Sequence, residues 1–207
     1  MNMLEVYLFI NPISESCYKT EKKIMNLIDK SVNKVCFRVL PLLTLSTIKH
    51  SMRHAGLPIS MHKEVVNTLY QASLDYEAAL FQGQKRGREF LLKVQECILK
   101  HNFKYTDKMV QKVAQQSKLD LSIFADDRNS HLAEKAFRKN QQIAVEMQIK
   151  DYPTVVISNT DYPEYALSID PLKSFEILKK IILNPKETLG RANNHHYQYL
   201  HSAKLKK

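Results

Sequence analysis

Apolar residues recur along the chain with two different periods, and the switches between them divide it into three parts. Leu4 to Ile10 (LEVYLFI) is a mostly apolar run that stops at Asn11-Pro12. That length and β-rich content predict a buried central strand, closed by the proline. From Glu15 to Lys30, the residues Tyr18, Ile24, Leu27 and Ile28 recur at helical spacing, while Lys19, Lys22, Lys23 and Lys30 fall elsewhere. Ser14 or Ser16 is suited to cap that helix. Lys34 to Leu40 alternates Val35, Phe37 and Val39 with Lys34, Cys36 and Arg38, which predicts a second strand. A strand–helix–strand unit crosses over right-handed, so the two strands should be parallel.

The middle of the chain carries the helical period. Met61 to Leu80 places Val65, Leu69, Ala72, Tyr76 and Leu80 three or four apart, and Gly83 interrupts. Phe90, Leu91, Val94 and Ile98 continue a helical face to His101. Thr106 is suited to cap Asp107 to Gln116, and Ser122 to Asp126 is a shorter piece. His131 to Gln148 is expected to align Leu132, Ala136, Phe137, Ile143, Ala144 and Met147. Leu42 to Ser60 has no clear period and stays unassigned.

After Asp151 the strand pattern returns. Tyr152-Pro153 leads into Thr154 to Ser158, and turn residues separate it from Tyr165 to Ile169, so an antiparallel hairpin is expected. Asp170-Pro171 predicts a helix start, with Asp170 as N-cap, and Asn184-Pro185 predicts its end. The order is that of an α/β thioredoxin-like fold with helices inserted between the second strand and the C-terminal hairpin. Residues 1–60 and 150–183 would form the core, 61–149 the inserted helical subdomain, and 184–207 a basic polar tail.

Composition narrows the function classes. Only 4 Gly and 7 Pro exclude collagen-like and low-complexity chains, and leave little room for a dinucleotide-binding loop. No apolar run approaches the roughly 18 residues of a membrane span. The apolar start carries Glu5 and no basic lead, so it reads as a strand and not as a secretion signal. With three scattered cysteines (Cys17, Cys36 and Cys97), this points to a reducing cytoplasm. The net charge of +10 is diffuse apart from the last 24 residues, where five basic residues face Glu187 alone. No nucleic-acid module accompanies it, so a solvated face is the expectation. His50 and His54 lack a third ligand nearby, and His195, His196 and His201 fall in the polar tail. No metal and no cofactor are expected.

Three segments carry a resemblance. YLFINPISESCY resembles the strand and active-site turn of DsbA-like proteins, which usually read a hydrophobic strand, Asp-Pro, then Cys-Pro-x-Cys-Trp. AALFQGQKRGREFLLKVQECIL and NQQIAVEMQIKDYPTVVISN resemble the inserted helices and following loop of the DsbA-like adaptors (the YjbH or SpxH family). Those adaptors deliver the transcriptional regulator Spx to the ClpXP protease. The resemblance covers about Leu4 to Leu183. It implies a non-catalytic adaptor with Spx and ClpXP as partners. Placed residue by residue, the first motif cysteine falls on Ser14, the second on Cys17 and the tryptophan on Tyr18. Adaptors of this type commonly continue into a further C-terminal region.

The chemistry follows from Ser14-Glu15-Ser16-Cys17. A Cys-x-x-Cys turn works because its first thiol sits at a helix N-terminus, where the dipole and free N–H groups stabilise a thiolate, and its second resolves the mixed disulfide. A serine cannot form a disulfide, so the dithiol cycle cannot run within this motif. Glu15 is expected to disfavour a nearby thiolate. Cys17 reads as a small core residue, with a single redox-active or sensing thiol, and hence a thiol–disulfide oxidoreductase, as the alternative. Tyr152-Pro153-Thr154 matches the loop that carries a cis-proline beside the active-site turn in thioredoxin-like folds. There it exposes strand-edge backbone groups to an extended partner chain.

Overall fold

In a computed structural model of the protein, residues 3–54, 56–101, 104–159, 162–185 and 198–201 are described. The apolar run near the N-terminus forms β1 (Met3–Ile10), an interior strand of a five-stranded sheet, second from one edge. Glu15–Lys30 is α1 and Lys34–Pro41 is β2, and β2 pairs parallel with β1 from Met3↔Lys34 to Ile10↔Pro41, as the crossover rule requires. Thr154–Asn159 (β3) lies antiparallel on the other side of β1, and Tyr162–Ile169 (β4) lies antiparallel to β3, with a bulge at Ser158/Asn159. A later helix, Phe175–Leu183, packs against α1.

Both faces of the sheet are covered, which is why β1 shows no polar alternation. On one face Leu4, Val6, Leu8 and Ile10 pack with Ile24 of α1 and with Leu178 and Ile182 of the Phe175–Leu183 helix. On the other, Tyr7 and Phe9 pack with Leu40, Val156, Ala144 and Met147.

Between β2 and β3 lie α2 (Leu45–His54), a short 3-10 turn (Ile59–Met61), α3 (His62–Phe81), α4 (Gln84–His101), α5 (Asp107–Gln116), α6 (Leu121–Arg128) and α7 (His131–Glu146); the Phe175–Leu183 helix is α8. The helical block has a core of its own, built on Phe90, Val94, Val110, Val113 and Phe124. Tyr76 and Leu91 extend from α3 and α4 into the sheet cluster, and Tyr76 Oη donates to the Val39 carbonyl at 3.3 Å. The α3–α4 hairpin is closed tightly at Gly87, where a Cβ would lie 2.6 Å from Leu80 Cδ2 and 3.0 Å from Leu80 Cα. A buried network ties the block together. Asp75 receives Arg128 Nε and Nη2, each at 2.9 Å, Gln71 Nε2 at 3.0 Å and Tyr105 Oη at 2.5 Å.

Four expectations change. The stretch left unassigned contains α2, held by Ile48 and Met52 against Val65 and Leu69. Helix α7 buries Ala133, Phe137, Asn140 and Ala144, and Leu132 is 61% exposed. The buried face is therefore rotated by one residue at its start, where Ser130 caps the helix by accepting from Ala133 N–H. Asp170 does not cap α8: its Oδ1 accepts from Leu172 N–H and its carbonyl from Ser174 N–H, closing a separate turn before the helix begins at Phe175. Gln198–His201, assigned to a polar tail, forms β5 and pairs antiparallel with β4; His195 and His196 lie outside the described residues. Among the described residues no helix is long and apolar enough to cross a membrane, and no three His, Cys, Asp or Glu side chains gather as a metal site would need.

Candidate functional site: a thiol-poor thioredoxin turn

Asn11, at the end of β1, builds the turn that leads into α1. Its Oδ1 accepts from Ile13 N–H at 2.9 Å and its carbonyl from Ser14 N–H at 3.1 Å, so the chain reverses within three residues. Ser14 then takes the N-cap position with extended backbone, φ −95° and ψ 130°. Its hydroxyl does not cap the helix and instead lies 2.9 Å from Ser16 Oγ.

Cys17 sits one turn into α1 and is fully buried in the sheet cluster. The Asn11 backbone N–H donates to its Sγ at 3.3 Å. Burial pushes the thiol up to about 12, and Glu21 adds to the rise, while the Asn11 N–H and the Ser14 and Ser16 hydroxyls act in the opposite direction. Glu15 is not the carboxylate that disfavours the thiolate, contrary to expectation. It is exposed and paired with Lys19 Nζ at 2.7 Å. The carboxylate beneath the thiol is Glu21, one helical turn further on and fully buried. Neither of its oxygens has a hydrogen-bond partner among the described residues. Burial pushes Glu21 up to about 8, and the Arg88 guanidinium draws it down.

The Tyr152–Pro153 peptide bond is cis, as the sequence predicts. Tyr152 is buried and its hydroxyl lies 3.1 Å from Ser51 Oγ. Ser51 is the hub of the site. It accepts from Asn11 Nδ2, donates to the Thr47 carbonyl at 2.8 Å, and meets Tyr152. One hydroxyl on α2 thus joins the end of β1 to the cis-proline loop. His50 covers the Tyr152 ring, with centroids 5.2 Å apart and planes at 57°.

The arrangement closes a cavity of about 340 Å³, with Ser14, Glu15, Ser16, Ser51 and Tyr152 among its lining residues and Leu57 and Leu99 as apolar walls. The structure therefore brings together four of the seven residues expected at the site. Cys17 lies behind the wall, Pro153 is buried in the cis bond, and Thr154 is tied to the Asp151 carbonyl at 2.7 Å. Sequence reasoning missed Asn11, Ser51 and His50 as a group. The available signal was limited to Ile48 and Met52, four apart, a spacing that suits one face of a helix carrying His50 and Ser51.

The turn can hold a partner's side chain or backbone in its polar pocket, but it lacks the exposed thiolate that thiol–disulfide exchange begins with. Cys17, Cys36 and Cys97 are all free thiols.

A parallel β1–β2 pair, an antiparallel β3–β4 hairpin, a turn leading into α1 and a cis-proline loop joined to it through Ser51 together define a thioredoxin fold. The family model described as Thioredoxin matches residues 7–180, and the chain belongs to that family. Among curated relatives, the chain is similar to the ClpXP adapter protein SpxH of Bacillus subtilis. The two are 27% identical over 206 residues, covering 90% of this chain and 68% of that one. The protein of the same name from Bacillus licheniformis is 26% identical over 205 residues, covering 90% and 67%. Among solved structures, Pseudomonas aeruginosa DsbA superposes with a TM-score of 0.59 at 18% identity, covering 91% of this chain and 87% of that one, a likeness of fold. The resemblance to the adaptors carried by the turn and the inserted helices is matched by these relatives.

Proposed function

We propose that this protein is a non-catalytic adaptor that binds an Spx-like regulator and promotes its degradation by the ClpXP protease. The observation that carries the proposal is the state of the α1 turn. Ser14 stands where a nucleophilic thiol would be needed, and the remaining thiol, Cys17, is fully buried and pushed up to about 12. The hydrogen-bonded scaffold around the turn is nevertheless intact through Asn11, Ser51 and Tyr152. A site that keeps its shape without its nucleophile suits recognition better than exchange. The relatives named ClpXP adapter proteins support the same reading.

Affinity for purified Spx tests it, measured by calorimetry for the wild-type chain and for Cys17→Ala. Micromolar or tighter binding that is the same for both chains is expected, with insulin reduction by dithiothreitol no faster than the uncatalysed rate. Absence of Spx binding would refute the proposal. Insulin turnover abolished by Cys17→Ala would favour an oxidoreductase instead.

A further inference from the structure

Within the helical block, α4 and α5 line a second cavity, of about 630 Å³, that shares no lining residue with the first among the described residues. Its floor is apolar, formed by Cys97, Met109 and Val113, and the last two are fixed by the core of the block. Its rim is cationic, with Lys93, Lys104, Lys108 and Lys112 against Glu96 as the one carboxylate lining it among the described residues.

Two of these charges are already engaged. Lys93 Nζ donates to Glu89 Oε1 at 2.8 Å and to the Gln116 carbonyl, and Glu96 holds Lys100 at 2.6 Å. Lys104, Lys108 and Lys112 are exposed, and none of them takes part in an ion pair among the described residues. The nearest acid on α5, Asp107, is committed to Arg128 Nη1 at 3.0 Å. Lys108 and Lys112 stand four residues apart on one helix, a spacing at which like charges weaken the helix. Three uncompensated ammonium groups beside an apolar floor complement a ligand that is acidic along its length and apolar on one side.

We propose that the α4–α5 groove docks an acidic segment of a partner protein. One or two of the segment's apolar side chains seat on Cys97, Met109 and Val113, and its carboxylates lie along Lys104, Lys108 and Lys112. A nucleic acid fits less well, because among the described residues no aromatic residue or arginine lines the groove to stack on bases or fork onto phosphate. The surface is independent of the α1 turn and does not rest on the adaptor reading.

The test uses the full chain with Cys36→Ser, so that Cys97 is the accessible thiol. A synthetic peptide alternating Glu and Leu is compared with the same peptide carrying Ser for Leu, and with a single-stranded DNA oligomer. Binding is read by fluorescence anisotropy and by the rate of Cys97 alkylation. The Glu/Leu peptide should bind, slow the alkylation, and lose affinity by about tenfold or more in the Lys104→Glu, Lys108→Glu, Lys112→Glu variant. Raising the salt from about 50 to about 300 mM should weaken it in the same direction. Any of four results would overturn the proposal: no binding, unchanged Cys97 alkylation, equal affinity for the Ser-containing peptide or the triple variant, or stronger protection of Cys97 by DNA.

Discussion

Cys17 should be chemically silent in the folded protein. The perturbation is a thiol-specific alkylating agent, iodoacetamide, at pH 8. With Cys17 pushed up to about 12, four pH units above the buffer, only about one molecule in 10⁴ carries the thiolate. An ordinary thiol near 8.5 is about one-quarter thiolate at the same pH. The deficit in nucleophile is therefore about three orders of magnitude, before allowance for complete burial, which bars the reagent as well. Cys36 and Cys97 are partly exposed and serve as internal controls. Digestion and mass spectrometry after timed alkylation would report each cysteine separately, and a sample in urea would set the unfolded rate. The expected result is alkylation of Cys36 and Cys97 with Cys17 unmodified until the chain unfolds. If native Cys17 reacted within a factor of about ten of Cys97, burial would not control this thiol, and a redox role for the turn would return.

The carboxylate beneath Cys17 makes stability depend on pH. Folded Glu21 holds its proton to about pH 8, whereas in the unfolded chain it loses it near pH 4.3, so the folded state binds more protons in between and stability falls as pH rises through that window. The contribution is on the order of 4–5 kcal/mol at most. Urea midpoints should therefore fall between pH 5 and pH 9 in the wild type and less steeply in Glu21→Gln, and parallel curves would contradict the assignment. Arg128→Met leaves the fully buried Asp75 carboxylate without its cation and should cost about 3–5 kcal/mol, with much of that recovered by adding Asp75→Asn. Denaturant titration of the two variants would check this, and a cost below about 1 kcal/mol would mean that the pair is not holding α3 to α6.

The sheet and most helices were legible because their apolar patterns are long. β1, α1 and β2 fall within a residue or so of their expected bounds, and Thr106 caps α5 by accepting from Met109 N–H, as its position predicts. Helix α2 was hidden for an identifiable reason. Its start is organised by two threonines rather than by an apolar pattern: Thr44 N–H donates to Thr47 Oγ1 at 2.8 Å and Thr47 N–H to Thr44 Oγ1 at 3.1 Å, the reciprocal logic of a capping box. Leu45 at its first position is exposed, which blurs the period further. Leu132 misled in the same way, since an apolar residue in the first turn of α7 need not face the core.

The candidate site was half legible. Ser14, Cys17 and the cis Tyr152–Pro153 bond could be placed from the resemblance and the turn chemistry. The residues that hold them in place could not, because Asn11 and Ser51 are joined across 40 positions and Ser51 and Tyr152 across 101. Hydrogen bonds over such separations leave no periodic trace in a single sequence. The role of Glu21 was misassigned to Glu15 because burial, and not proximity along the chain, decides which carboxylate acts on the thiol.

Reconstituted degradation of Spx by purified ClpXP, followed by gel with and without this chain, tests the central claim most directly. An adaptor raises the effective concentration of substrate at the protease. Substoichiometric amounts should therefore speed the loss of Spx by about tenfold or more, with the chain itself intact at the end and Cys17→Ala equally active. An Spx half-life unchanged by a molar excess of the folded chain would contradict the account.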